Sequence, residues 1–233
     1  MFNFLKAKNF RDFHDHYIFW VKIFFLSLVI FGLLLSLFIS PADYLQGDTV
    51  RIMYIHVPAS WLALQIYGVM SVCGLIILVF KIRFFTLVSK SIAPIGFTFS
   101  LISLFTGSIW GQPTWGTFWT WDARLTSMLV LVVFYISYLL TWKFVSKFLL
   151  AEKLSSIIAL VGLANLPIIK FSVDWWNTLH QPATIKLTET STIHSTMLSP
   201  LIIMFLSFLA FSIIIFLIRF KLESLNLKIN SNK

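Results

Sequence analysis

The chain has 233 residues, of which 58% are hydrophobic and only 12% are charged, and its formal net charge is +9. Because a soluble domain carries about 25% charged residues, this composition excludes an ordinary soluble domain and indicates an integral membrane protein. The positive residues lie between apolar stretches, which favours a part in membrane topology over nucleic-acid binding.

A helix needs about 20 apolar residues to cross the hydrocarbon core of a bilayer. Six segments are predicted to do so, namely residues 18–40, 57–80, 91–110, 125–142, 154–169 and 195–218. The fifth is the weakest, because it is short and contains Asn165 and Pro167. We therefore expect an all-α integral membrane protein with six transmembrane helices, forming a single membrane domain.

The distribution of positive charge predicts the orientation of these spans. With six spans, 14 of the 18 lysines and arginines lie on one side of the membrane, together with both termini. Positive residues are retained in the cytoplasm, so both termini are predicted to be cytoplasmic. Without the fifth span the basic C-terminal tail would lie outside, which supports the count. Residues 41–56, 111–124 and 171–194 are then the external segments.

Tryptophan is concentrated at the second external segment. Trp110, Trp115, Trp119 and Trp121 fall within 12 positions, with glycines and a proline between them. An aromatic belt at the membrane interface is one interpretation of such residues. The other is a flat apolar platform for a large planar ligand, since a helical turn would place Trp115 and Trp119 on one face.

Two charged residues follow the tryptophans, at the start of the fourth span. Asp122 is placed to cap that helix by accepting hydrogen bonds from its first N–H groups, and a direct contact with a ligand is equally open. Arg124 lies close to the external interface, where a charge must be paired or face water. Its expected partners are Asp122, Asp174 or the carboxylate of a ligand.

Two histidines share the external side with these residues. His56 precedes the second span and His180 lies in the third external segment, so an even number of spans separates them. Two neutral imidazoles beside an aromatic platform are what a bis-histidine haem site requires. His194 is a weaker external candidate, while His14 and His16 are predicted to be cytoplasmic and solvated.

The six apolar segments contain no histidine, which argues against an electron-transfer haem buried between the spans. Cys73, the only cysteine, lies in one of these segments and is predicted to be a packing residue. A single cysteine excludes a C-x-x-C-H haem attachment site within this chain. A site at the outer rim suits a ligand that is passed on.

Residues 110–127, WGQPTWGTFWTWDARLTS, closely resemble the tryptophan-rich signature of haem-handling proteins. Residues 53–61, MYIHVPASW, and 175–180, WWNTLH, narrow the match. With six spans and this short length, nearly the whole chain resembles the cytochrome c maturation protein C family, whose larger relatives have many more spans. Phe118 departs from the signature, which often has tryptophan there; the ring is kept and little change is expected.

The resemblance implies a part in system I cytochrome c maturation, without enzymatic activity. Haem b would be bound transiently on the periplasmic side of a bacterial inner membrane, or in the mitochondrial inner membrane if the chain is organelle-encoded. His56 and His180 would be the axial ligands. A membrane-anchored haem chaperone, an ABC-type ATPase with its membrane subunit, and a small single-span subunit are the implied partners.

Two other functions remain open from the residues alone. The chain could be a permease subunit of an ABC transporter for haem or another solute, for which Asn165 and Pro167 mark the best candidate break in a span. It could also be a structural assembly subunit whose tryptophan segment binds a partner protein.

Overall fold

The computed structural model describes residues 7–181 and 193–231, and these residues form helices joined by short connections. The α-helices are α1 (Ala7–Leu34), α2 (Met53–Phe80), α3 (Arg83–Trp115), α4 (Ala123–Phe144), α5 (Phe148–Leu163), α6 (Asn165–Trp175) and α7 (Ser195–Ser231). A π-helical turn at Leu35–Ile39 continues α1, and a 3-10 turn at Asp48–Ile52 leads into α2. No strand occurs within the described ranges.

Six helical segments of the described chain are long and apolar enough to cross a membrane, which confirms the predicted number of spans. They are His16–Ile39, Asp48–Phe80, Arg83–Trp115, Ala123–Phe144, Phe148–Trp175 and Ser195–Leu227. That both termini face the cytoplasm stays a prediction. The cytoplasmic loops predicted around residues 81–90 and 143–153 are shorter than expected, because Lys90 and Lys153 lie within helices. Lys90 there forms a 2.7 Å ion pair with Glu223 of α7.

The fifth span is a pair of helices, α5 and α6, rather than the single short helix expected over residues 154–169. Proline at position 167 has no N–H to donate to the Leu163 carbonyl, and its ring crowds that oxygen. The break falls there, since α5 ends at Leu163 and α6 begins at Asn165. Asn165 is buried and donates from Nδ2 to the Ser127 carbonyl oxygen at 2.8 Å. It therefore joins α6 to α4.

Close helix packing in the bundle depends on small residues and on internal partners for buried hydroxyl groups. The Tyr135 hydroxyl donates to the Ala63 carbonyl oxygen at 2.7 Å, and that of Tyr67 donates to the Ile158 carbonyl oxygen at 3.0 Å. The Tyr135 ring occupies the space that a side chain at Gly96 would need. Such bonds are expected within a membrane, where water is absent and a buried hydroxyl needs a protein partner.

Six helix ends meet at one end of the bundle, here called the tryptophan-rich end because it carries Trp110, Trp115, Trp119 and Trp121. These are the C-terminal ends of α1, α3 and α6 and the N-terminal ends of α2, α4 and α7. The three segments predicted to be external connect these ends, and residues 182–192 of the third lie outside the described residues.

Candidate functional site

His56 lies in the first turn of α2, where its side chain is held by α3. Its Nδ1 is 3.1 Å from Thr106 Oγ1. The Thr106 hydroxyl donates its only hydrogen to backbone carbonyls, principally that of Ile102 at 2.6 Å. Thr106 Oγ1 can therefore only accept from the imidazole, so Nδ1 carries the proton and Nε2 carries the lone pair.

Two further residues of α3 shape the surroundings of His56. A Cβ at Gly107 would come within 2.8 Å of the imidazole Cε1, so only glycine leaves room for this ring position. The Trp110 ring packs edge-on against His56 with ring centroids 5.8 Å apart. Its indole Nε1 donates to Gln46 Oε1 at 2.7 Å, which connects the first external segment to the site.

His180 lies in the connection that follows α6, and Asp122 holds it. The imidazole Nδ1 is 3.1 Å from Asp122 Oδ2, and the ring packs against Trp115 with centroids 4.7 Å apart. Burial lowers the pKa of His180, and the hydrogen bond to Asp122 opposes that effect. A neutral imidazole beside an acceptor-only carboxylate donates through Nδ1. The unprotonated nitrogen of His180 is therefore the same as that of His56, namely Nε2.

Asp122 is the N-cap of α4, as predicted. Its Oδ1 accepts from the Leu125 backbone N–H at 2.8 Å, while Oδ2 faces His180. The capping interpretation of Asp122 is confirmed, whereas its direct contact with a ligand stays a prediction. One carboxylate therefore caps α4 and also contacts His180.

Arg124 connects α4 to α6 through neutral partners. It donates from Nε to Ser172 Oγ at 3.1 Å and reaches the Lys170 carbonyl oxygen at 3.5 Å. The expected salt bridge with Asp122 or Asp174 is not formed among the described residues, where the guanidinium is instead hydrogen-bonded to α6. Hydrogen bonds rather than a charge pair hold the guanidinium, because Ser172 lies directly across from it.

The predicted platform of Trp115 and Trp119 on one helical face is wrong. α3 ends at Trp115, and Gly116 adopts a φ of +77° while its N–H bonds to the Gln112 carbonyl oxygen. The left-handed residue turns the chain, so Trp119 lies outside the helix. It packs instead against Trp121, whose side chain is 78% exposed, with centroids 5.5 Å apart. α3 supplies two tryptophans to the histidines, Trp110 and Trp115.

His194 differs from the other two histidines in its hydrogen bonds. It is exposed and directly precedes α7, whose first N–H groups bond to its carbonyl oxygen. Its Nδ1 faces the N–H of Thr196 at 3.4 Å and the hydroxyl of the same residue at 2.8 Å. An Nδ1 that accepts implies a protonated Nε2, so His194 is arranged to cap a helix. His16, which was predicted to be solvated, is exposed.

His56 and His180 each pack against a tryptophan of the last turns of α3, His56 against Trp110 and His180 against Trp115. Among the described residues, no group of three or more His, Cys, Asp or Glu side chains is arranged to hold a metal ion. A bare ion needs about four protein ligands, whereas a porphyrin already supplies four nitrogens.

Gln46, Thr106 and Gly107 contact the site but were not among the candidate residues predicted from the sequence. The last two were counted as part of the apolar third span, although the adjacent Thr-Gly-Ser at residues 106–108 is an unusual run of small residues within it. Gln46 could not have been found from its sequence position, because its contact with Trp110 depends on how the first external segment folds.

Comparison with known proteins agrees with the predicted resemblance. The family model for heme exporter protein C matches residues 1–233. The chain is 44% identical over 193 residues to heme exporter protein C of Bradyrhizobium diazoefficiens, covering 83% of this chain and 73% of the relative. It is 42% identical over 203 residues to heme exporter protein C of Haemophilus influenzae, covering 86% and 82%. A putative cytochrome c biosynthesis ccmC-like mitochondrial protein of Marchantia polymorpha is 45% identical over 191 residues, covering 82% and 81%.

Proposed function

This chain belongs to the heme exporter protein C family, and on that premise we propose that it binds haem between His56 and His180 and passes it on for cytochrome c maturation. Haem b is then a transiently bound cargo, and the chain is a transfer component rather than an enzyme. The supporting observation is that both imidazoles hydrogen-bond through Nδ1, to Thr106 and to Asp122, and that neither Nε2 has a hydrogen bond to the part of the chain that the structure describes.

The surroundings of the two histidines fit a porphyrin. Trp110 and Trp115 each pack against one imidazole, and aromatic rings give a rigid apolar contact for a planar ligand. Three buried polar atoms at the same end have no partner among the described residues, namely Trp119 Nε1, Thr120 Oγ1 and Thr178 Oγ1. Each can donate a hydrogen bond, so a ligand that brings carboxylates, as haem does with its propionates, would satisfy them.

The membrane location follows from the six spans and from the orientation that the positive charges predict. The chain would lie in a bacterial inner membrane, or in the mitochondrial inner membrane if organelle-encoded, with the haem site on the outer face. Arg124, near that face, is available to a haem propionate beside its bonds to Ser172 and Lys170.

Partner proteins would carry out the steps for which this chain has no residues. Its sequence has no Walker A motif, so ATP would be hydrolysed by an ABC-type ATPase with its own membrane subunit. A membrane-anchored haem chaperone would receive the haem, and a small single-span subunit would complete the assembly. The exposed Trp121 and Phe118 lie at the tryptophan-rich end, where such a chaperone would approach.

Purification in detergent followed by absorption spectroscopy tests the proposal. We expect wild-type protein to contain haem with a low-spin spectrum, and to load a haem chaperone in membranes. His56→Ala and His180→Ala should each lose the low-spin spectrum and the loading. His194→Asn is the matched control, because asparagine keeps a helix cap. A wild-type spectrum in both site variants would refute the ligand assignment.

A further inference from the structure

Asp122 contacts His180 with one carboxylate oxygen while the other caps α4. We propose that Asp122 is a positioning residue for the haem site, which fixes the tautomer and orientation of His180 so that Nε2 faces the iron. The inference rests on the proposed function, in which His180 is an axial ligand. It concerns a residue that acts through His180 and does not itself touch the iron.

The first step is the tautomer. An imidazole has one ring proton when neutral, and the nitrogen that lacks it is the one that can bind a metal. Asp122 Oδ2 lies 3.1 Å from Nδ1 and, as a carboxylate, can only accept. The Nδ1–H tautomer of His180 is therefore favoured before any haem arrives, and Nε2 is ready to bind.

The second step is the position of the ring. His180 lies in an irregular connection after α6, where a side chain is less well fixed than on a helix. Asp122 is bound to the backbone of α4 through Leu125, and Trp115 at the end of α3 packs against the other part of the ring. A loop residue is thereby held by two helices of the bundle, which is how a precise ligand position is maintained.

The third step is a difference between the two axial ligands. His56 donates its Nδ1 proton to the neutral hydroxyl of Thr106, whereas His180 donates to a carboxylate. A carboxylate partner raises the basicity of a metal-bound imidazole more than a neutral one. His180 is then the stronger donor to iron, and the haem is held more firmly from its side than from the side of His56.

Asp122→Asn separates this role from helix capping. Asparagine caps as well as aspartate does, so its single side-chain oxygen is expected to stay on the Leu125 N–H. Its NH₂ group would then face Nδ1 of His180 and favour the opposite tautomer, with the proton on Nε2. The same exchange of acid for amide puts a catalytic histidine into the wrong tautomer in the serine proteases.

Asp122→Ser is the matched variant. Serine also caps well, but its short side chain does not reach His180, so the imidazole loses its partner without being forced into the wrong tautomer. A role in capping alone predicts that both variants equal the wild type. A positioning role predicts that both bind haem more weakly, and that asparagine is the more harmful substitution.

The experiment measures haem affinity, the spin state of the iron and the thermal stability of the haem-free protein. We expect the haem-free stability of both variants to match the wild type, since the cap is kept. Haem affinity should fall roughly 10–100-fold for Asp122→Asn, as is typical when the partner of a metal-binding histidine is lost. Asp122→Ser should lie between it and the wild type, and both should show a larger high-spin fraction.

His180→Ala, measured alongside, distinguishes the possible failures. If His180→Ala loses the low-spin spectrum while both Asp122 variants keep wild-type spectra and affinity, Asp122 is only a cap and the proposed function stands. If His180→Ala keeps the wild-type spectrum, the ligand assignment fails and the inference fails with it. Weakened binding in both Asp122 variants, greater for asparagine, supports the inference.

Discussion

The imidazole of His56 lies directly against the backbone of Gly107. A Cβ at residue 107 would come within 2.8 Å of the imidazole Cε1 and 3.3 Å of Nδ1. The Oγ1 of neighbouring Thr106 accepts a hydrogen bond from Nδ1. One helical turn of α3 therefore provides both the space and the hydrogen-bond acceptor that fix the histidine of α2.

Gly107→Ala is expected to displace the imidazole and weaken haem binding. Forcing an extra methyl group into a filled space costs about 1–3 kcal/mol, which corresponds to roughly 5-fold to 150-fold in affinity. The measurement is haem per protein at matched membrane expression. Gly68→Ala is the control, because a Cβ there meets only Leu166 at an ordinary 3.8 Å. Equal haem content in the two variants would contradict the close packing around His56.

His56→Gly and His180→Gly should each leave space for an added imidazole. We expect low-spin absorption to be lost in either variant and partly restored by millimolar imidazole, because the free ligand can take the vacated axial position. The matched control is His194→Gly, whose spectrum should not change with or without imidazole. Loss without any rescue would indicate a structural rather than a ligand role for these histidines.

Trp115→Ala is expected to lower haem affinity more than Trp121→Ala. Trp115 packs against His180, whereas Trp121 is largely exposed and contacts Trp119. An aromatic contact contributes about 0.5–1.5 kcal/mol beyond area burial, so losing Trp115 should cost severalfold in haem affinity. An aromatic belt would make the two substitutions equivalent. Titration of haem into the haem-free variants decides between these outcomes.

Gln46→Leu tests how the first external segment supports the site. Leucine cannot accept the hydrogen bond from Trp110 Nε1, and a partly buried donor without a partner costs about 1 kcal/mol or more. We expect a moderate fall in haem retention and lower thermal stability. Gln46→Glu keeps an acceptor of nearly the same shape and should behave like the wild type. Identical results for leucine and glutamate would show that this hydrogen bond has no part in the site.

Reporter fusions test the predicted orientation. Lys90 and Lys153 lie within helices, so the fusions are placed in the connections between helices. Fusions after Lys81, after Ser146 and after Lys233 should report a cytoplasmic location, and one after the exposed Ala42 should report an external one. The alternative external position, residues 184–190, lies outside the described residues. A tail that reports outside would contradict the orientation.

The number of spans was predictable because a helix must be apolar over a fixed length to cross the bilayer. Segments of that length and composition can be recognised in the sequence. The bounds were not predictable, since the helices continue past the apolar windows of the sequence. α3 extends to Trp115 and α7 to Ser231, well beyond the apolar windows at residues 91–110 and 195–218. The break between α5 and α6 was suggested by proline at position 167, while its structural purpose became clear only from the bond of Asn165 to Ser127.

The sequence by itself determined that this is a six-span membrane protein, that His56, His180 and the tryptophans share one side, and which family it resembles. The first property depends on hydropathy, the second on whether the number of spans between the residues is even or odd, and the third on contiguous motifs. Only the tertiary structure decided which atoms meet. Thr106 and His56 are 50 positions apart, and Asp122 and His180 are 58 apart. Contacts between distant residues depend on how helices pack, and no local pattern specifies that packing.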